Sequence, residues 1–171
     1  MNSNLFMTLV KDIMTREVIS VRPDGSLQEA AEILAKHGFD GVPVVDEKNK
    51  LVGILTEYDL VSKGSATHLP TFQKIIQNLG VYSKDKFRFK KDFEDIASLK
   101  VKDMMNNDPL ILQENATYED AVTAFRDHHR VNPIPVVNNE RKVIGVMSRY
   151  DILKPLHLMD KPLWISLLEK E

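Results

Sequence analysis

The first third of the chain changes from helical to strand-like spacing of its apolar residues. Leu27, Ala30 and Leu34 recur at the spacing of one helical face, and Ser26 with Glu29 forms the Ser-x-x-Glu capping box that typically starts such a helix. Short aliphatic runs around this helix predict three strands, at Val18–Val21, Val42–Val45 and Leu51–Leu55. Only a short polar turn separates the last two strands, so we expect them to form a hairpin.

The same order of elements recurs in the last third of the chain. Thr117 and Asp120 repeat the capping box and start a second apolar helical face. The strands around it are predicted at Leu110–Leu112, Ile134–Val137 and Val143–Met147. The last strand of each copy leads into an N-cap residue, Thr56 or Ser148, with an aspartate three positions on, so a further helix is predicted to begin there. The pattern therefore predicts a mixed α/β (α+β) fold made of two β-α-β-β-α units.

The two copies also share short sequence motifs in the same order. Each motif of the first copy has a counterpart in the second: V-K-D-I-M at Val10–Met14 and V-K-D-M-M at Val101–Met105, P-V-V at Pro43–Val45 and Pro135–Val137, and Gly53–Asp59 with Gly145–Asp151. Three motifs recurring in order indicate an internal duplication. We expect a first repeat at 1–62, a helical insertion at 63–100, a second repeat at 101–154 and a C-terminal helix at 155–171.

The insertion is too long for an ordinary loop and carries apolar residues at helical spacing. Two helices are predicted, one from about Leu69 to Gly80 and one from about Phe89 to Leu99. The basic turn Lys84–Lys91 connects them and runs into the start of the second helix. We interpret this turn as solvated surface; contact with a phosphate, a partner or single-stranded nucleic acid are the alternatives. In the tail, Trp164 lies on an amphipathic helix that either covers the core of its own chain or contributes to a dimer contact.

Composition narrows the function classes. With 23 Lys and Arg against 25 Asp and Glu, the formal net charge of the 171 residues is −2, too balanced for a chain whose main role is to coat nucleic acid or anionic lipid. The chain has no cysteine, which excludes disulfides, thiolate nucleophiles and cysteine-ligated zinc. His128 and His129 are adjacent, so on a helix they point about 100° apart and cannot ligate one metal together. Without a long apolar run or a signal-like N-terminus, we expect a soluble cytoplasmic protein with no metal site.

The Thr/Ser-x-x-Asp motif has a chemistry that follows from its position at a helix start. Unpaired backbone N–H groups and a cap hydroxyl favour a nearby phosphate, and Thr56 and Ser148 stand at such positions. A carboxylate three residues on lies on the same face and can accept hydrogen bonds from both hydroxyls of a ribose. Asp59 and Asp151 are the candidates for this role. The alternative is that these residues only cap an ordinary helix.

The duplicated motifs resemble those of the CBS domain (the cystathionine β-synthase type), and two copies in tandem resemble a CBS pair, or Bateman module, of the stand-alone bacterial or archaeal type. The resemblance covers roughly 10–62 and 101–154. It implies two repeats packed about a pseudo-twofold axis, with clefts that hold adenosine-containing ligands such as AMP, ADP, ATP or S-adenosylmethionine. It further implies a regulatory homodimer that signals to an effector protein, without catalytic residues or a required cofactor. The alternative is a scaffold that has lost ligand binding and mediates dimerisation or another protein contact.

The resemblance also implies further contacts to the ligand. The second copy would supply phosphate, polar and apolar contacts: Arg130 and Arg149, Asn132, and Val131 with Pro133. Further positions lie in the first copy and in the predicted first strands: Phe39, Asp40, Gly41, Ile19 and Leu110. Gly38 and Glu57 stand where the second copy has Arg130 and Arg149, so we expect two unequal sites, of which one holds a phosphorylated nucleotide tightly. Which ribose carboxylate works with these arginines stays open.

Overall fold

The computed structural model of the chain describes residues 8–60 and 99–157. They form two compact units that do not follow the order of the repeats along the chain. The first-repeat unit joins residues 19–60 to residues 99–109, and the second-repeat unit joins residues 8–18 to residues 110–157. We call residues 8–18 and 99–109 the flanking segments. Each flanking segment precedes its own repeat in the sequence and belongs to the unit of the other repeat.

The described elements follow the predicted order closely. The helices are α1 (Val10–Ile13), α2 (Leu27–His37), α3 (Val101–Met104), α4 (Tyr118–Asp127) and α5 (Lys154–His157). The strands are β1 (Gly41–Val45), β2 (Leu51–Thr56), β3 (Leu112–Gln113), β4 (Ile134–Val137) and β5 (Val143–Met147). A 3₁₀ helix, Asp151–Leu153, precedes α5, and residues 57–60 are helical after β2.

The first-repeat unit packs α2 against the hairpin of β1 and β2. The helix begins where the Ser26 hydroxyl accepts a hydrogen bond from the Glu29 N–H (3.4 Å). It ends at Gly38, whose φ of 63° is the left-handed conformation that glycine adopts without strain. β1 and β2 pair antiparallel, as predicted. Apolar residues of these elements and α3 share one core: Leu27, Ala30, Leu34, Val42, Val44, Leu55, Leu60, Val101 and Met104.

The second-repeat unit has the same plan with a third strand. β3 pairs parallel with β4, and β4 pairs antiparallel with β5. The capping box of α4 is complete, because the Thr117 hydroxyl accepts from the Asp120 N–H (3.1 Å) and the Asp120 carboxylate accepts from the Thr117 N–H (2.8 Å). The core of this unit includes residues of α1 from the flanking segment: Val10, Ile13, Met14, Leu112, Ala121, Phe125, Ile134, Val136 and Met147.

Each flanking segment adds a one-residue bridge to the last strand of its unit. Thr15 and Val146 exchange two backbone hydrogen bonds of 2.9 Å. Asn106 and Ile54 exchange two of 2.8 and 2.9 Å. The two bridges occupy corresponding places in the two units, so the exchange of flanking segments is reciprocal.

Glycine in the last strand permits this close approach. A Cβ atom built on Gly145 would overlap the Met14 side chain and lie 3.1 Å from the Thr15 carbonyl oxygen. One built on Gly53 would lie 2.7 Å from the Asn106 carbonyl oxygen. The V-K-D-I-M segment of the first copy therefore lies against the segment that starts at Gly145 in the second copy, and V-K-D-M-M of the second copy lies against the segment that starts at Gly53 in the first.

The mixed α+β class and both hairpins are confirmed, but the strand predicted at Val18–Val21 is wrong. Of those residues only Val21 pairs, in an isolated parallel bridge to Val44. The next ladder donor would be the backbone nitrogen of Pro23, which carries no hydrogen. The Val45 carbonyl oxygen accepts from the Arg22 guanidinium instead (3.2 Å). In the second copy the predicted first strand is shifted and runs over Leu112–Gln113.

The helix predicted to start after Ser148 begins later and in two parts. Residues 149–150 form a turn, followed by the 3₁₀ helix and then α5. Pro155 explains the tighter first turn, since it lacks the N–H that an α-helix would donate to the Asp151 carbonyl. The Lys154 N–H donates to that carbonyl in its place, which is the 3₁₀ pattern.

Three predictions concern residues outside the described ranges: the helices of the insertion, the basic turn Lys84–Lys91, and the terminal helix with Trp164. They stay predictions.

Candidate functional site

The Thr56-x-x-Asp59 motif closes on itself at the end of β2. The Asp59 Oδ2 accepts hydrogen bonds from the Thr56 N–H (3.1 Å) and the Thr56 hydroxyl (2.6 Å). In return, the Thr56 hydroxyl oxygen accepts from the Asp59 N–H (3.1 Å). Asp59 is buried, with 8% of its surface exposed. The local sequence thus holds a carboxylate in a fixed orientation at the start of the helical residues 57–60.

The Ser148-x-x-Asp151 motif has the same local geometry at the end of β5. The Asp151 Oδ2 accepts from the Ser148 N–H (2.6 Å) and the Ser148 hydroxyl (2.8 Å). Asp151 is 2% exposed. Its other oxygen, Oδ1, accepts from the Thr15 hydroxyl (3.2 Å) and lies 2.5 Å from the Lys154 ammonium. The second carboxylate is therefore paired with a cation inside its own unit.

The Lys154 ammonium also ties the flanking segment to this site. It donates to the Ile13 carbonyl oxygen (3.0 Å) and lies 3.5 Å from the Thr15 hydroxyl oxygen. An ammonium group has three donors, and these contacts together with Asp151 use all three. Sequence reasoning missed both Thr15 and Lys154. The i, i+3 spacing of Asp151 and Lys154 is a signal that could have identified the lysine, whereas Thr15 has no local signal.

The loop before β4 reaches the turn after β5. The Asn132 side-chain oxygen accepts from the Arg149 N–H (3.1 Å). The Arg149 guanidinium donates to the His129 carbonyl oxygen and lies 5.8 Å from the Phe125 ring centroid. The structure therefore brings two predicted contact residues, Asn132 and Arg149, together beside the Ser148 motif. The guanidinium packs on its own unit in this arrangement.

The remaining predicted residues of the second copy lie along the same loop. Arg130 is exposed, Val131 is half-buried, and Pro133 is buried after a cis peptide bond. Leu110 is half-buried and packs against the core of this unit.

In the first copy a backbone contact replaces the asparagine side chain. The Glu57 N–H donates to the Asp40 carbonyl oxygen (3.0 Å). The neighbouring Phe39 is 37% exposed and stacks on His37, with ring centroids 5.0 Å apart. Gly41 is buried at the start of β1, and Ile19 is half-buried. A carboxylate on Glu57 beside this loop gives the first copy a different local charge from that of the second, where Arg149 stands at the corresponding position.

Within the described ranges, no three His, Cys, Asp or Glu side chains converge as metal ligands would. The described helices likewise include none that is long and apolar enough to cross a membrane.

Comparison with known proteins gives a consistent result. The model of the CBS domain family matches residues 10–65 and 101–158. L-aspartate semialdehyde sulfurtransferase of Methanocaldococcus jannaschii is 30% identical over 146 residues, which are 85% of this chain and 23% of that protein. Protein MJ1426 of the same organism is 29% identical over 164 residues, which cover 91% of this chain and 95% of that protein.

A solved structure of similar extent is the CBS domain pair of protein MJ0100, in complex with 5′-methylthioadenosine and S-adenosyl-L-methionine. It is 28% identical in sequence, with a TM-score of 0.60 over 86% of this chain and 98% of that chain. The chain thus spans less than a quarter of the sulfurtransferase and nearly the whole of the other two.

Proposed function

The chain belongs to the CBS domain family and carries two copies of the domain, and on that premise we propose that it is a regulatory module that binds an adenosine-containing ligand and signals to a partner protein. The observation that carries the proposal is that each copy holds one oriented carboxylate, Asp59 or Asp151, by hydrogen bonds from the cap residue at the end of a strand. The related MJ0100 pair, with its two adenosine-containing ligands, supports this ligand class.

The proposal assigns roles to the predicted contact residues. The aspartates supply acceptors for ribose hydroxyls, and Arg130 and Arg149 supply cations for phosphate. A charge-assisted hydrogen bond contributes about 1.5–3 kcal/mol, so one arginine changes the affinity for a phosphorylated ligand by tenfold or more. Glu57 at the position corresponding to Arg149 disfavours phosphate in the first copy. We therefore expect one strong AMP site per chain.

No catalysis is part of the proposal. Asp59 and Asp151 each accept hydrogen bonds from the backbone and hydroxyl of their own motif, an arrangement that orients an acceptor without activating a nucleophile. A homodimer in the cytoplasm completes the proposal, in line with the cysteine-free composition. Light scattering tests the assembly, and a concentration-independent particle of 19.5 kDa would contradict it.

A thermal-shift panel tests the ligand class. We expect AMP, ADP, ATP or S-adenosylmethionine to raise the melting temperature, while guanosine monophosphate at the same concentration serves as the matched control. Calorimetry with the most effective compound should then show weaker binding in Arg130→Ala and Arg149→Ala. A panel without any shift, for a protein that still dimerises, would support the scaffold instead and contradict ligand sensing.

A further inference from the structure

The Asp151 carboxylate joins the Ser148-x-x-Asp151 motif to the first flanking segment. Its Oδ2 accepts from the Ser148 N–H (2.6 Å) and hydroxyl (2.8 Å). Its Oδ1 accepts from the Thr15 hydroxyl (3.2 Å) and lies 2.5 Å from the Lys154 ammonium. A carboxylate offers about four lone-pair sites, and these four donors fill them on a side chain that is 3% exposed. A ribose hydroxyl can therefore bind Asp151 only by displacing one of these donors.

The two donors on Oδ1 are the ones that a ribose diol would displace. The Ser148 donors lie in the same turn of chain as Asp151, so they stay with the carboxylate. Thr15 comes from a distant part of the sequence and is exposed, and the Lys154 side chain is 41% exposed. Water can therefore solvate the hydroxyl and the ammonium when they leave, which offsets part of the lost contact.

The same two donors help to hold the end of the flanking segment. Thr15 exchanges two backbone hydrogen bonds of 2.9 Å with Val146, and the Lys154 ammonium also donates to the Ile13 carbonyl oxygen (3.0 Å). The Ile13 side chain lies in the core of the unit, so α1 stays anchored by apolar contacts when the ammonium moves. Beyond Thr15 the chain passes into the first-repeat unit at Ile19. The Thr15 bridge thus lies close to the connection between the two units.

We propose that a ribose diol bound at Asp151 displaces the Thr15 hydroxyl and the Lys154 ammonium and so loosens the bridge between Thr15 and Val146. The end of the flanking segment, residues 15–18, then carries the signal that the ligand is bound. This inference rests on the proposed function and adds the element through which the ligand changes the shape of the chain. Coupling between two equilibria is reciprocal, so the contacts that fasten the bridge also weaken ligand binding.

Calorimetry with AMP tests the competition for Asp151. Lys154→Ala and Thr15→Val each remove a competitor and should tighten AMP binding, Lys154→Ala by at least about fivefold. Asp151→Asn removes the acceptor and should weaken AMP binding by at least about tenfold. A merely structural role of Lys154 would give no gain in affinity. Lys142→Ala is the matched control, because Lys142 is 42% exposed but pairs with Glu140, which is 65% exposed; it should leave the affinity for AMP unchanged.

Amide hydrogen exchange followed by NMR measures the bridge directly. The Thr15 and Val146 N–H groups should exchange at least about fivefold faster in Lys154→Ala without ligand, and likewise in the wild-type protein saturated with AMP. The N–H groups of Ile54 and Asn106 form the bridge of the other unit and should not respond to Lys154→Ala. 2′,3′-Dideoxyadenosine monophosphate lacks the diol and should not accelerate the exchange of Thr15 and Val146. If Asp151→Asn does not fold, this compound replaces it, because it removes the diol instead of the acceptor.

The two measurements separate the possible failures. If AMP binds without faster exchange at Thr15 and Val146, or if Lys154→Ala binds AMP no more tightly, the coupling is overturned and the proposed function stands. An affinity for AMP that folded Asp151→Asn leaves unchanged would overturn the coupling in the same way. A protein whose bridge loosens in Lys154→Ala but which binds no adenosine compound would contradict the proposed function, and the coupling with it.

Discussion

The two strand glycines should respond differently to the same substitution, because the atom nearest to an added Cβ is a side-chain atom at Gly145 and a backbone oxygen at Gly53. A Cβ on Gly145 would overlap the Met14 side chain, which is flexible and can be shortened by mutation. A Cβ on Gly53 would lie 2.7 Å from the Asn106 carbonyl oxygen and 2.8 Å from the Met105 sulfur. That carbonyl accepts from the Ile54 N–H (2.9 Å), so it cannot move without breaking the bridge.

The magnitudes follow from core overpacking. An extra methyl in a filled space costs about 1–3 kcal/mol, and truncating a buried methionine costs about 2–5 kcal/mol. If Met14 is the obstacle, Gly145→Ala with Met14→Ala should cost little more than Met14→Ala alone, a coupling of about 1–2 kcal/mol. Met105→Ala should not rescue Gly53→Ala in this way, since the nearest obstacle is backbone.

Chemical and thermal unfolding followed by circular dichroism would measure these differences. For a chain of this size, each kcal/mol corresponds to about 2–4 °C in melting temperature. Gly38→Ala is the control: nothing lies within 4 Å of its Cβ position, its cost comes from the left-handed φ, and it should add to Met14→Ala. A neutral Gly145→Ala, or an equal rescue of Gly53→Ala by Met105→Ala, would refute the packing argument.

Two further predictions concern pH. Hydrogen bonds from the backbone N–H and the hydroxyl of Thr117 lower the pKa of Asp120 below 3.8. The stability that ionised Asp120 contributes is therefore complete above pH 3.8 and is lost as the pH falls through the lower pKa of the folded state. Thr117→Val should thus narrow the difference in melting temperature between about pH 6 and about pH 3, and an unchanged difference would count against this. Burial raises the pKa of Tyr118 above 10.0, and its hydroxyl donates to the Ile152 carbonyl (3.0 Å). The contribution of the buried, protonated Tyr118 to the free energy of unfolding is therefore complete below pH 10.0 and is lost as the pH rises through the higher folded pKa. Tyr118→Phe should abolish this loss when the melting temperature is measured at increasing alkaline pH.

Local chemistry explains which parts of the fold could be predicted from the sequence. The helix starts at Ser26 and Thr117 depend on residues three positions apart, and the hairpins depend on apolar runs joined by short polar turns. These predictions were correct because each of the features is decided within a few residues. The contacts inside the Thr/Ser-x-x-Asp motifs also form within one turn of chain, but the predicted role of these residues toward a ligand stays a prediction.

The features that could not be predicted depend on distant partners. Thr15 and Asp151 are 136 residues apart, and the sequence spacing does not indicate which flanking segment joins which strand. Val21 looks like part of a strand by composition, yet Pro23 limits its pairing to one bridge. Arg149 was expected to face phosphate, whereas its guanidinium contacts the His129 carbonyl in this structure; whether it also serves a ligand stays a prediction.

The reciprocal exchange of flanking segments has a consequence for the history of the chain. A protein made of one repeat would possess both halves of every contact described above, the segment and the strand that receives it, but the connecting chain delivers the segment to another copy. If its segment kept the kind of partner it has here, the bridge would form with a second molecule, as in domain swapping. In the present chain both segments and both receiving strands belong to one molecule, so each bridge forms without a second copy.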